Sequence, residues 1–146
     1  MQVGFWAHMR LITDGGALLH IPDNVLFMSA FMTWFSIVIA LFKDIPDVRG
    51  DERAQLQTAT LRFGVKNIFW TCIALLIVAY STAVWYSVVC CTGLTRILAV
   101  AGQMLCASLL IKKAVTTDLQ QHAQIVSAYM FIWKLFYAQY MVIPLM

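Results

Sequence analysis

This chain is poor in charge. Only 12% of its 146 residues are Asp, Glu, Lys or Arg, against about 25% in an ordinary soluble domain, and the run from Asn24 to Phe42 has none. With 62% hydrophobic residues and a mean hydropathy of +0.79, a water-soluble globule is excluded. Ten basic residues give a net charge of +3 and form no long stripe, which excludes nucleic-acid binding. The four cysteines, Cys72, Cys90, Cys91 and Cys106, show no CxxC spacing. They read as small buried hydrophobes or thiols near a membrane surface rather than as a zinc site or disulfide frame. A signal peptide is not legible either, since Met1 to Met9 lacks a basic segment followed by an apolar core.

What is present is a set of apolar runs. The spacing predicts an all-α, polytopic transmembrane helix bundle with four spans, at about 25–42, 67–89, 96–111 and 125–146, preceded by a helix stub at Met1 to Met9. Arg10 to Asn24 carries Gly15, Gly16, Pro22 and Asp23 and reads as a connection, on which His20 sits. The third span is short, so Arg96 and Lys112 are expected to snorkel to the interface. Trp70, Trp85 and Tyr86, near the ends of the second span, suit an aromatic belt. Lys134 falls near the middle of the last span, where an ionisable group faces a wet cavity or a partner carboxylate unless its stem reaches a polar layer. It is therefore a cavity-lining candidate.

The scarce charge is concentrated in one place. Nine of the seventeen charged residues lie between Leu41 and Lys66, expected as a motif loop over 43–66. Asp44, Asp47 and Asp51 recur there at spacings of three and four, which puts them on one side if the backbone is helical. Clustered carboxylates are the hard oxygen ligands that Mg²⁺ accepts alongside a phosphate. A solvated loop between two spans is the alternative reading of the same residues. Pro46 predicts a kink, because it has no N–H and disfavours helical geometry at Ile45. Alternating spans place this loop and 112–124 on one side with seven of the ten basic residues, so the positive-inside rule assigns that side to the cytoplasm, stroma or matrix.

The residues KDIPDVRGD, preceded by FSIVIALF and followed by LRFG, resemble the second aspartate-rich motif of the UbiA superfamily of intramembrane prenyltransferases. They are most similar to the plastid homogentisate phytyltransferase branch, in which the segment commonly reads ALFKDIPDVEGD. Tyr129 to Pro144, YMFIWKLFYAQYMVIP, and VGFWAHM near the start are similar to the same branch. The resemblance implies that residues 1–146 are the C-terminal half of a UbiA-type fold of about nine helices in a plastid (chloroplast) membrane, with the motif facing the stroma. It implies a prenyltransferase that moves a phytyl group from a prenyl diphosphate to an aromatic acceptor, homogentisate, in tocopherol biosynthesis. Asp44, Asp47 and Asp51 would then hold Mg²⁺, and Lys43 and Arg53 would meet the diphosphate.

Departures accompany the match. The family's first motif, NxxxDxxxD, occurs nowhere in these 146 residues, so the chain alone is expected to be inactive. Arg49 stands where the branch has glutamate, Gln55 and Gln57 replace a glycine and a basic residue, and Gln139 replaces a glutamate. Two other readings stay open: an enzyme like homogentisate solanesyltransferase, of plastoquinone synthesis, and a non-catalytic, truncated four-helix membrane protein.

Overall fold

In lipid, a backbone must satisfy its own N–H and C=O groups, and for a chain of apolar runs the helix is the way to do so. The computed structural model describes residues 23–53 and 58–143, and contains five helices in that range: α1 (Asp23–Arg53), α2 (Ala59–Phe63), α3 (Val65–Cys90), α4 (Gly93–Thr116) and α5 (His122–Val142). The expected stub at 1–9 and connection at 10–22 lie outside the described residues. The segment Asp23–Val48 of α1, together with α3 and α4, is long and apolar enough to cross a membrane. The expected fourth span corresponds to α5, which does not reach that hydropathy over its described residues because Lys134 and two glutamines, Gln124 and Gln139, interrupt it.

Two expectations are corrected. The stretch 43–66 is not one loop, since α1 continues through Pro46 to Arg53. Pro46 removes one intrahelical hydrogen bond, but Phe42 and Ile45 are fully buried beside it and hold the backbone in register. The third span is also longer than expected. α4 runs for 24 residues, from Gly93 to Thr116, and carries Lys112 and Lys113 within its last turns, where buried Ala114 still packs inward.

The four long helices close into a ring in which α3 touches α1 and α4, and α5 touches the same two. Each buries a seam at spacings of three and four. On α1 it is Phe31, Phe35, Val38, Phe42 and Ile45; on α5 it is Ile125, Ala128, Ile132, Leu135 and Gln139. Where lipid supplies no hydrophobic driving force, close packing must do the work, which favours small residues at contacts. Ala79, Ala83, Ala99, Ala114 and Ala128 fill that role, and a Cβ on Gly102 would lie 2.9 Å from Val142 Cγ1. Aromatic rings knit α1 to its neighbours: Phe35 meets Tyr80 edge-on (6.1 Å, 88°), and Phe42 meets Phe69 at 5.4 Å. Gly64, at φ 85°, breaks α2 from α3 in a conformation that L side chains rarely adopt.

Candidate functional site

The aspartates are positioned by α1 itself. At 100° per residue, Asp44, Asp47 and Asp51 fall within about 60° of one another and roughly half a turn from the Phe35–Phe42 seam. Their face is therefore the outer face of α1 in this bundle. Its other members agree: Thr33, Ser36 and Ala40 are exposed, and Ile37 is 60% exposed. Asp44 is half-buried, and Asp47 and Lys43 are exposed. The backbone of Asp51 and Arg53 belongs to the last turn of α1, while their side chains lie outside the described residues.

The hydroxyl protons of Thr33 and Ser36 are already engaged, which leaves only the oxygen lone pairs to a ligand. Thr33 Oγ1 donates to the Ser29 carbonyl (2.7 Å) and Ser36 Oγ to the Met32 carbonyl (2.8 Å), the back-bonding open to hydroxyls on a helix. Two carboxylates one turn apart, one half-buried and one open, fit a hard divalent cation that keeps several waters. They do not enclose one: among the described residues no group of three or more His, Cys, Asp or Glu is gathered.

Other expected residues lie elsewhere. Lys134 is exposed on α5, well over a third of a turn from Tyr129 and Phe136, whose rings meet Phe42 and Phe35 of α1. It lines no space inside the ring. His122 is exposed at the start of α5, and His8 and His20 lie outside the described residues. None of the four cysteines is in a disulfide.

The structure adds two features that the sequence did not single out. A cavity of about 300 Å³ lies in the α1–α3 groove, lined by Phe27, Phe31, Trp34, Val78, Ala79 and Thr82 among others. Trp34 Nε1 donates to the Leu75 carbonyl (3.2 Å) across it. This apolar space begins about ten residues, or ~15 Å, along α1 from Asp44. The second feature is a polar junction inside the ring. Tyr80, Gln103 and Gln139 are almost fully buried, and Gln139 faces both Tyr80 and Cys106. The Tyr80 hydroxyl and both polar atoms of the Gln139 carboxamide make no well-formed hydrogen bond. Period alone gave no sign of it, because a lone glutamine in an apolar helix looks the same whichever way it faces.

A family profile, that of the UbiA prenyltransferase family, matches residues 3–135. The chain belongs to the UbiA prenyltransferase family. Within this family it is similar to homogentisate phytyltransferase 1, chloroplastic, of Arabidopsis thaliana, with 38% identity over 144 residues, covering 99% of this chain and 36% of the relative. It is 44% identical over 117 residues to the probable homogentisate phytyltransferase 1, chloroplastic, of Oryza sativa subsp. japonica, covering 80% of this chain and 29% of the relative. It is 39% identical over 144 residues to naringenin 8-dimethylallyltransferase 2, chloroplastic, of Sophora flavescens, covering 99% and 35%. The UbiA chain thus spans about a third of the length of these curated relatives. No solved structure matches it. The all-helical ring with three apolar spans is consistent with the family's polytopic membrane fold.

Proposed function

We propose that this chain contributes the second aspartate-rich element of an enzyme that transfers a prenyl group, phytyl, from a prenyl diphosphate to homogentisate, in tocopherol synthesis. The observation that carries this reading is the aspartate face of α1. Asp44 and Asp47 stand on one side of a helix that continues beyond an apolar span, so a ligand held there has its polar head at the span's end and its chain beside lipid-facing helix. The relatives named for homogentisate phytyl transfer support the choice of substrates.

In this reaction the allylic C–O bond breaks and its electron pair leaves with the diphosphate; an aromatic carbon of the acceptor forms the new C–C bond and loses its ring proton, while the side-chain carboxylate leaves as CO2 and the methylene carbon takes up a proton to become a methyl group. Asp44, Asp47 and Asp51 would hold Mg²⁺, which when bound supplies positive charge to offset that developing on the leaving diphosphate. Lys43 and Arg53 add donors to the same oxygens. The apolar residues of the spans keep water from the allylic cation. The motif would face the stroma of a plastid membrane, the side on which most basic residues fall.

The test is made in the full-length protein. Asp44→Ala and Asp47→Ala are expected each to lower diphosphate release by about 10² or more, by analogy with loss of a group that stabilises developing charge. Turnover equal to the parent would remove these residues from the site. A flavonoid acceptor is the second reading, favoured by 39% identity to the naringenin enzyme, as high as that to the Arabidopsis homogentisate enzyme. Competition between homogentisate and naringenin for one labelled donor separates the two.

A further inference from the structure

The outer face of α5 carries a second seam. Ser127, Met130, Lys134, Tyr137 and Met141 follow one another at spacings of three, four, three and four, and all are exposed, Met130 at 54%, Tyr137 at 61% and Met141 at 78%. This is the spacing of a helix-packing seam, and it mirrors the buried seam on the opposite side of the same helix.

Two ring contacts fix the depth of Lys134. Tyr129 stacks on Phe42 (6.3 Å) and Phe136 meets Phe35 (5.5 Å), so seven residues of α5 run antiparallel to seven of α1. Lys134, two residues before Phe136, is thereby level with Ile37, inside the uncharged run from Asn24 to Phe42. The next charge on α1, Lys43, is six residues away, about 9 Å along the axis. A four-carbon stem does not cover that distance alone. An ammonium at such a level faces a cavity or a partner of opposite charge, and among the described residues it faces neither.

The charge decides among occupants. Hydrocarbon chains offer the ammonium nothing. A second copy packed in parallel on this seam would bring Lys134 against Lys134. The seam is positive at its other end too, where Lys113 Nζ donates to Ser127 Oγ (3.0 Å). We propose that the Ser127–Met141 face of α5 docks a further transmembrane helix that carries an Asp or Glu at the level of Lys134. Such a helix has room to exist, since the relatives are nearly three times the length matched here. The inference rests on the membrane reading of the chain, and not on its substrates.

A benzoylphenylalanine photocrosslinker in place of Tyr137, in the full-length protein in its native membrane, tests this, with Leu105 on the outer face of α4 as control. Position 137 is expected to crosslink to a spanning peptide with Asp or Glu within one turn of the adduct, and position 105 to lipid. Lys134→Glu is expected to lower the membrane level of the protein several-fold, with recovery when the identified acid is changed to Lys. Crosslinking of position 137 to lipid, to another copy of α5, or to a spanning peptide without an acid would overturn the proposal, as would full accumulation of Lys134→Glu. Neither readout requires prenyl transfer, so loss of the enzymatic reading would leave this result unchanged.

Discussion

Along α1, Phe35 and Ile37 are two residues apart, yet the first is fully enclosed and the second is 60% exposed. The same split runs the length of the helix. One face, Phe31 to Ile45, is closed by α3 and α5; on the other, Thr33, Ser36, Ile37, Ala40 and Asp47 are exposed and Asp44 is half-buried. Fold and site therefore have different requirements. The ring of four long helices closes on its own residues, whereas the face that carries Asp44 and Asp47 points away from the buried seam.

The largest effect should come from asking the open face to work unaided. The 146-residue chain, reconstituted with Mg²⁺, prenyl diphosphate and homogentisate, is expected to transfer no prenyl group, because two carboxylates on an open face neither enclose a cation nor exclude water; product above background would show that this face suffices. Next come substitutions that set the two faces against each other. Phe35→Ala should lower unfolding free energy by about 3–5 kcal/mol through the cavity it leaves, while Ile37→Ala should stay within about 0.5 kcal/mol, as at a site away from packing. Reversible unfolding in mixed micelles reads both, and equal losses would erase the distinction between the faces.

A smaller change is expected where α4 meets α5. Gly102→Leu forces a side chain into the space of Val142 and should cost about 1–3 kcal/mol. Pairing Gly102→Ala with Val142→Ala should recover most of the loss from Gly102→Ala alone. Smallest is the polar junction. Gln139→Leu should be neutral or slightly stabilising, by up to about 1 kcal/mol, since it removes an amide that has no well-formed partner. A clear destabilisation would mean that the carboxamide is engaged in the folded protein.

Much of this was legible beforehand for a plain reason. Uncharged runs leave a chain in lipid little choice but helix, and the three-and-four spacing of Asp44, Asp47 and Asp51 is a helical property whether or not a ligand is present. Pro46 misled because its effect is local, whereas Phe42 and Ile45 hold that turn by contacts with other helices that no window of sequence contains. Lys112 and Lys113 looked like a stop signal, yet Lys113 reaches Ser127 from within α4 and the helix goes on. Which way each face points was hidden for the same reason. Periodicity says that two faces exist, and only the packing says which one is covered.

The hydroxyls scattered through the spans have a consequence of their own. Thr33, Ser36, Thr71, Ser81, Ser87 and Ser108 each donate to a carbonyl one turn earlier on the same helix. Their protons are thereby turned away from the surroundings, and a span speckled with alcohols behaves toward a passing isoprenoid much as an alkane wall would. A long tail could slide along such a surface without being caught, and only its head would find anything to hold.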